Sequence, residues 1–113
     1  MYEIKLNTLN FTDEVLFAGM PVLVEFWAPW CSACRQLAPI VERIAEENPG
    51  RLKVGKVNVD EEPMLAARYG VRGVPKLVLF EGGRVIGSAV GLQSRKRIEE
   101  ELLSLVRKER RPA

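Results

Sequence analysis

The sequence predicts an α/β fold, in which helices cover both faces of a sheet, and two observations lead to this prediction. Runs of β-branched and aromatic residues alternate with segments whose apolar residues recur at helical spacing. One of these runs, residues 21–27, is almost uninterrupted, which is typical of a strand buried on both faces. The resulting order of elements is β-α-β-α-β-α-β-β-α. Because the 113 residues contain no repeat and no linker-like stretch, we expect one domain that spans residues 1–113.

The first half of the chain contains two predicted strands and two predicted helices. Residues 2–6 alternate weakly and predict an edge strand, whereas residues 21–27 predict a central strand. Residues 11–18 place apolar side chains on one face of a short helix. A longer amphipathic helix is predicted over residues 32–48, and an Asn-Pro-Gly sequence ends it.

The second half of the chain contains three predicted strands and two predicted helices. Residues 52–59 predict a buried strand, and residues 61–70 predict a helix that begins with two acids and a proline. Residues 76–80 and 84–90 predict two strands joined by a Glu-Gly-Gly hairpin turn. Ser94 is suited to cap a last helix because its hydroxyl can accept a backbone N–H.

Composition and charge exclude several classes of protein. Hydrophobic residues make up 47% and charged residues 28%, so the chain is neither disordered nor fibrous. The net charge of +2 gives no reason to expect a nucleic-acid partner, and the basic residues at 107–111 are expected to be a solvated helix end. The longest uncharged stretch, residues 26–34, is too short to cross a membrane. The acidic and polar N-terminus does not resemble a secretion signal, so we expect a cytoplasmic protein.

The two cysteines, Cys31 and Cys34, stand directly after the central strand and at the start of the long helix. A helix N-terminus offers unpaired N–H groups and the positive end of a dipole, which favour the nucleophilic thiolate of Cys31. Residues three apart in a helix lie roughly 5–6 Å apart, within the range that a disulfide tolerates. We therefore predict a dithiol–disulfide cycle without a cofactor, in which Cys31 attacks a substrate disulfide and Cys34 resolves the mixed disulfide.

Glu25 is the one carboxylate in the central strand. Cys34 must lose its proton before it attacks, and a buried carboxylate whose pKa is raised by desolvation is a suitable acceptor near neutral pH. Glu25 has an alternative role as the partner of a strand lysine such as Lys56, and both roles can hold together. Trp27 and Trp30 flank the cysteines, and either pack in the core or contact partners.

The cysteine pair has a second interpretation, as half of a zinc site. Zinc sites in proteins are completed by four ligands, and the chain contains no histidine and no second cysteine pair. Only a dimer would therefore complete a Cys₄ site. We expect redox chemistry and no metal.

Four motifs make the sequence similar to the thioredoxin family. They are Phe-Trp-Ala-Pro-Trp-Cys-Ser-Ala-Cys at 26–34, Val-Asn-Val-Asp at 57–60, Tyr-Gly-Val-Arg-Gly-Val-Pro at 69–75 and Phe-Glu-Gly-Gly at 80–83. They stand in the family's order and spacing, so the resemblance covers almost the whole chain. It implies the thioredoxin fold, a central mixed five-stranded sheet flanked by four helices. It also implies reduction of protein disulfides, with thioredoxin reductase as the electron donor, and we expect a monomer without nucleic-acid or membrane partners.

The resemblance also implies roles for individual residues. Cys31 matches the attacking cysteine and Cys34 the resolving cysteine. Pro75 matches a cis-proline beside the disulfide, where the backbone of Val74 pairs with an extended segment of the substrate. Lys56 matches a lysine near the buried carboxylate. The positions that line or support the substrate surface are Trp27, Trp30, Gly73 and Gly91.

Three positions depart from the usual pattern of the family. Ser32-Ala33 stands where Gly-Pro is usual, which bears on the redox potential. Glu25 replaces an aspartate and reaches one methylene further, and Lys76 replaces a threonine and adds a charge to the docking surface. The alternative function is a non-catalytic binding or scaffold module of the same fold. Such modules usually lack the cysteine pair or the cis-proline motif, and both motifs are present here.

Overall fold

Five strands form one mixed sheet in the computed structural model, which describes residues 2–106. The strands are β1 (Glu3–Lys5), β2 (Val22–Trp27), β3 (Lys53–Asn58), β4 (Lys76–Glu81) and β5 (Arg84–Val90). Their order across the sheet is β1-β3-β2-β4-β5. Strand β3 pairs in parallel with β1 and β2, whereas β4 pairs antiparallel with β2 and β5. The five-stranded mixed sheet is therefore confirmed, and the basic segment 107–111 lies outside the described residues.

Four helical segments flank this sheet, as the resemblance implies, and a short turn follows them. The α-helices are α1 (Ser32–Glu47), α2 (Pro63–Arg68) and α3 (Arg95–Glu101), and a 3₁₀ turn (Leu103–Leu105) follows α3. The first predicted helix is a π-helical turn (Thr12–Leu16), closed by the bond from the Phe17 N–H to the Thr12 carbonyl at 2.9 Å. The predicted cap of α3 is confirmed, because Ser94 Oγ accepts the Arg97 N–H at 3.2 Å.

Strand β2 is buried on both faces, which explains its almost continuous apolar sequence. Successive side chains of a strand point to opposite faces of the sheet. Val22, Val24 and Phe26 pack in a cluster with residues of the π-helical turn and α2. Leu23 packs on the other face with residues of α1 and α3. Glu25 therefore lies on the face that α1 covers.

The pairing of β2 with β4 determines where the cysteine motif lies. The C-terminal end of β2 leads into the segment that carries Cys31, and Phe26 is paired with Lys76, the first residue of the antiparallel strand β4. The loop that ends at Pro75 therefore reaches the same edge of the sheet as the cysteines. No helix within residues 2–106 is both long and apolar enough to span a bilayer.

Candidate active site

Cys31 and Cys34 form a disulfide at the N-terminus of α1, with their Cα atoms 5.2 Å apart. Cys31 is the N-cap residue, with extended backbone angles, and its Sγ accepts the backbone N–H of Cys34 at 3.1 Å. Both cysteines are buried, Cys31 at 6% exposure and Cys34 at 3%. A thiolate at Cys31 would thus meet an aligned donor and the positive end of the helix dipole. The predicted spacing and helix position of the pair agree with this geometry.

The loop before β4 brings its backbone against the sulfur of Cys31. The Val74–Pro75 peptide bond is cis, and the carbonyl oxygen of Val74 lies 3.7 Å from Cys31 Sγ. Within the described part of the chain, the N–H of Val74 has no backbone partner. Gly73 precedes it in an exposed position with no atom within 4 Å of where a Cβ would stand.

Gly91 closes this edge of the site from strand β5. Its N–H donates to the carbonyl of Pro75 at 2.8 Å, which joins the loop after β5 to the cis-proline loop. Its φ of +88° lies in the left-handed region that side chains other than glycine rarely adopt. The structure therefore joins Gly91 to Pro75, the residue that follows Val74.

The two tryptophans of the motif have different environments. The Trp30 side chain is exposed, and its indole N–H donates to both carboxylate oxygens of Asp60 at 3.1 and 3.3 Å. Trp27 is half-buried, with the Lys56 ammonium 5.0 Å from its ring centroid in a cation–π contact. Asp60 ends the Val-Asn-Val-Asp motif and was not among the predicted site residues.

Glu25 is completely buried, and neither of its carboxylate oxygens has a hydrogen-bond partner among the residues described. Burial raises the pKa of Glu25 to about 7, against the lowering effect of Lys56 and with a smaller contribution from Glu3. Lys56 is the neighbour of Glu25 across β2 and β3, but no ion pair joins them within residues 2–106. The predicted rise in the pKa is thus present, whereas a direct Glu25–Lys56 ion pair is not.

The position of Glu25 relative to the cysteines follows from strand alternation. Trp27 lies two residues further along β2 on the same face, and it packs against the buried cluster that contains Ala28, Cys31 and Cys34. Glu25 is therefore next to Trp27 on this face of β2, and Trp27 borders the cysteine cluster.

The zinc interpretation of the cysteine pair requires further ligands close to the two sulfurs. No group of three or more Cys, Asp or Glu side chains among the described residues is arranged to hold a metal ion.

The sequence model of the thioredoxin family matches residues 3–104, nearly the whole of the described chain. The chain belongs to the thioredoxin family. It is 50% identical over 82 residues to thioredoxin 1 of Nostoc sp., an alignment that covers 73% of this chain and 77% of the relative. It is 44% identical to the thioredoxin of Synechocystis sp., covering 77% and 81% of the two chains. It is 42% identical to the thioredoxin of Porphyra purpurea, covering 82% and 87%.

Membership of this family and the Cys31–Cys34 disulfide establish the class of activity. The protein is a thiol-disulfide oxidoreductase that acts on protein disulfides, and this function is favoured over a non-catalytic binding module. Thioredoxins in general exchange disulfides with protein substrates and work with a reductase partner.

Proposed function

We propose that the protein reduces disulfides of substrate proteins by a two-step exchange in which Cys31 attacks and Cys34 resolves. In the first step, the Cys31 thiolate forms a bond to one sulfur of the substrate disulfide, and the other sulfur leaves as a thiolate. In the second step, Cys34 transfers its proton to Glu25 and attacks Cys31 Sγ. This attack releases the second substrate sulfur, so two electrons pass to the substrate and the Cys31–Cys34 disulfide forms.

The position of the Cys31 sulfur carries the proposal. It accepts the Cys34 N–H at 3.1 Å at the N-terminus of α1, and it lies 3.7 Å from the Val74 carbonyl. A donor aimed at the sulfur stabilises its negative charge, which increases the fraction of Cys31 that is present as the nucleophilic thiolate in the first step.

The cis-proline loop is the proposed binding site for the substrate. Because the Val74 N–H has no backbone partner among residues 2–106, an extended peptide can pair with it beside the sulfur. Pro75 and Gly91 hold this loop in place, and Gly73 leaves room for the peptide to approach. Trp30 presents an exposed apolar surface next to the disulfide. Trp27 and Lys56 support the site from the β2–β3 side.

Glu25 is the proposed proton acceptor for Cys34. Its pKa of about 7 makes it a base that exchanges protons readily at neutral pH. The methylene that distinguishes it from the usual aspartate extends its carboxylate by one bond. Glu25 has no hydrogen bond among the described residues that would hold its oxygens in one orientation.

We further propose thioredoxin reductase as the electron donor and one monomeric thioredoxin domain over residues 1–113, without nucleic-acid or membrane partners. The family match over residues 3–104 supports the single domain. Both cysteines of the sequence belong to the redox pair, so no cysteine is left to form a separate structural disulfide. This usage suits a reducing compartment, so we assign the protein to the cytoplasm.

Reduction of insulin disulfides with dithiothreitol tests the roles of the two cysteines. The wild-type protein should accelerate the reaction, and Cys31→Ser should abolish the acceleration. Cys34→Ser should accumulate a covalent mixed disulfide with the substrate through Cys31, because the second step is blocked. Limiting iodoacetamide should alkylate Cys31 of the reduced protein before Cys34. A mixed disulfide that forms on Cys34 of the Cys31→Ser variant, together with earlier labelling of Cys34, would reverse the assignment.

A further inference from the structure

A second carboxylate, that of Glu3, lies on the same face of the sheet as Glu25. The register pairs Lys5 of β1 with Lys56 of β3, and Lys56 with Glu25 of β2. These three residues therefore form one row across the sheet. Glu3 lies two residues before Lys5 and so projects to the same face, diagonally across from Lys56. The ammonium of Lys56 thus has one carboxylate on each side of its strand.

The carboxylate of Glu3 is partly removed from water without being paired. Its Oε2 is buried and has no hydrogen-bond partner among the residues that the structure describes. Glu3 lines an open groove of about 360 Å³ beside β1. The other residues of this groove are Ile4, Lys5, Trp27, Lys56, Asn58 and Glu61. Glu25 does not line the groove, whereas its neighbour across the sheet, Lys56, does.

Among the described residues, Lys56 is the one cation that acts on both carboxylates. It is held over the Trp27 ring, while Lys5 is engaged by the exposed Glu61 at 3.5 Å. Burial raises the pKa of Glu3, and Lys56 opposes this rise as it does for Glu25.

The charged groups around Glu25 come from several elements. Strand β3 contributes Lys56, and β1 contributes Glu3 and Lys5. Helix α1 covers the same face and carries Cys34. It also carries Glu42 and Glu46, whose negative charges raise the pKa of Glu3. Strand β4 presents only the apolar Leu77 to Glu25.

We propose that Glu3 is a positioning residue for the resolving step, a second carboxylate that shares the Lys56 ammonium with Glu25 and so sets the pH range in which Glu25 accepts the proton of Cys34. This inference rests on the role of Glu25 in the proposed function. The attraction of Lys56 for Glu25 is opposed by the repulsion between the two carboxylates. With Glu3 ionised, Glu25 keeps its proton to a higher pH. The resolving step then begins at a higher pH than it would if Glu3 carried no charge.

Glu3→Gln removes the charge with little change of shape and should shift the titration of Glu25 to lower pH. Two like charges separated by one strand lie roughly 10 Å apart, and at an effective dielectric near 40 they shift each other by about half a pH unit. At pH 6 such a shift raises the ionised fraction of Glu25 about 2.5-fold, so the resolving step should run faster by about the same factor. Glu3→Asp retains the charge and should restore the wild-type midpoint. Glu61→Gln removes an exposed acid from the same groove and serves as the matched control, with no shift.

Two measurements on the same set of variants test the inference. The first is the ¹³C titration of the Glu25 carboxyl carbon in the oxidised protein. The second follows the reaction of the reduced protein with Ellman's reagent as a function of pH. Release of the second thionitrobenzoate reports the attack of Cys34 on the mixed disulfide at Cys31. Support requires that both midpoints fall in Glu3→Gln and return in Glu3→Asp. An unchanged Glu25 titration in Glu3→Gln overturns the inference and leaves the proposed function standing. If the Glu25 titration shifts while the release profile does not follow, the coupling stands and Glu25 is not the base of the proposed function.

Discussion

At the scale of single residues, Glu25 combines the burial of a core side chain with a pKa of about 7, which suits the proposed role of a base. On its face of β2 it lies between Leu23 and Trp27, where an apolar side chain would be buried without a desolvation penalty. No hydrogen bond compensates its carboxylate within the described structure. A buried polar group of this kind lowers stability and is retained for another reason. The proposed proton transfer to and from Cys34 would supply such a reason.

The cost of Glu25 should depend on pH in a direction fixed by its pKa. Well below pH 4.5, the ordinary pKa of glutamate, both folded and unfolded chains hold the proton, and the cost of ionising the buried carboxyl is absent. Between pH 4.5 and about 7 the unfolded chain ionises first, so the free energy of unfolding falls, and above 7 the loss is complete. The difference of the two pKa values corresponds to about 3 kcal/mol.

Replacing Glu25 with leucine should therefore stabilise the oxidised protein at neutral pH. We expect Glu25→Leu to raise the free energy of unfolding by about 3 kcal/mol at pH 7.5 and by much less at pH 4.5. Urea unfolding at both pH values measures the effect, with the exposed Glu100→Leu as a control that keeps the wild-type pH dependence. A loss of stability in Glu25→Leu at pH 7.5 would show that the carboxylate is well paired.

Glu25→Gln separates the two chemical steps. The glutamine keeps the size of the side chain and cannot accept the proton of Cys34, so release of the mixed disulfide should slow more than its formation. Stopped-flow measurement of both steps at pH 7 gives the two rate constants. Equal slowing of both steps would indicate a general disturbance of the site and contradict a role as base.

The sequence allowed the residues of the site to be predicted where their chemistry is local. Glu25 is the one charge in an apolar strand, and the cysteine spacing alone limits the distance between Cys31 and Cys34. Asp60 and Glu3 were missed because their significance depends on partners far along the chain. Asp60 acquires its role through the Trp30 indole, and Glu3 through the pairing of β1 with β3.

At the scale of elements, the first turn of α1 controls the chemistry of the disulfide. Cys31 is the N-cap, Ser32 and Ala33 are the first two helical residues, and the Cys34 N–H reaches the sulfur. Ala33 keeps a backbone N–H that proline lacks, and Ser32 adds a hydroxyl. Both groups increase the supply of donors near a Cys31 thiolate, which stabilises the reduced form.

The Ser32-Ala33 pair should therefore make the protein a weaker reductant than a Gly-Pro variant. A hydrogen bond to a charged group is worth about 1.5–3 kcal/mol, which for a two-electron couple corresponds to roughly 30–60 mV. We expect the double change Ser32→Gly and Ala33→Pro to lower the potential, measured against glutathione, by this amount. The single variant Ala33→Pro isolates the contribution of the N–H, and Ser32→Gly isolates that of the hydroxyl. An unchanged or higher potential in the double variant would contradict the argument.

Element types could be predicted from residue spacing, but some helical details could not. Apolar residues at 11, 15 and 18 indicate one helical face, yet they fit a wider helix as well as an α-helix. The bond from Phe17 to Thr12 closes a five-residue step and makes this segment a π-helical turn. Helix α1 also continues through Pro39, where the loss of one N–H does not end the helix because its buried residues pack against the sheet.

At the scale of the whole molecule, the order of the strands assembles the site. The cysteine turn follows the C-terminal end of β2, and the cis-proline loop precedes the N-terminal end of β4. These two ends meet only because β2 and β4 are antiparallel neighbours. Strand order is set by long-range packing that no single segment encodes, so the meeting of Cys31 with Val74 was expected from the family resemblance and not from the pattern of any one segment.

The same assembly places three cationic residues in the segments that carry the cysteines and the cis-proline. Arg35 follows Cys34, Arg72 is exposed in the cis-proline loop, and Lys76 begins β4. The Arg35 guanidinium donates to the Pro29 carbonyl at 2.9 Å, and the Lys76 ammonium donates to the Tyr69 carbonyl at 3.4 Å. Backbone carbonyls neutralise no charge, so these side chains keep their positive field at the docking surface. We therefore expect acidic substrates to meet the disulfide faster than basic ones.

Lys76→Glu tests this preference, because it reverses one of the three charges near the proposed substrate site. Reduction of an acidic disulfide peptide should slow and reduction of a basic one should accelerate. Long-range attraction governs the encounter, so the difference should shrink as the Debye length falls from about 30 Å at 0.01 M salt to about 8 Å at 0.15 M. Arg51→Glu makes the same change of net charge in the exposed segment before β3, at the opposite end of the sheet, and should have little effect on either peptide. If both peptides react at equal rates with the wild-type protein and with Lys76→Glu, the charge of Lys76 does not select substrates.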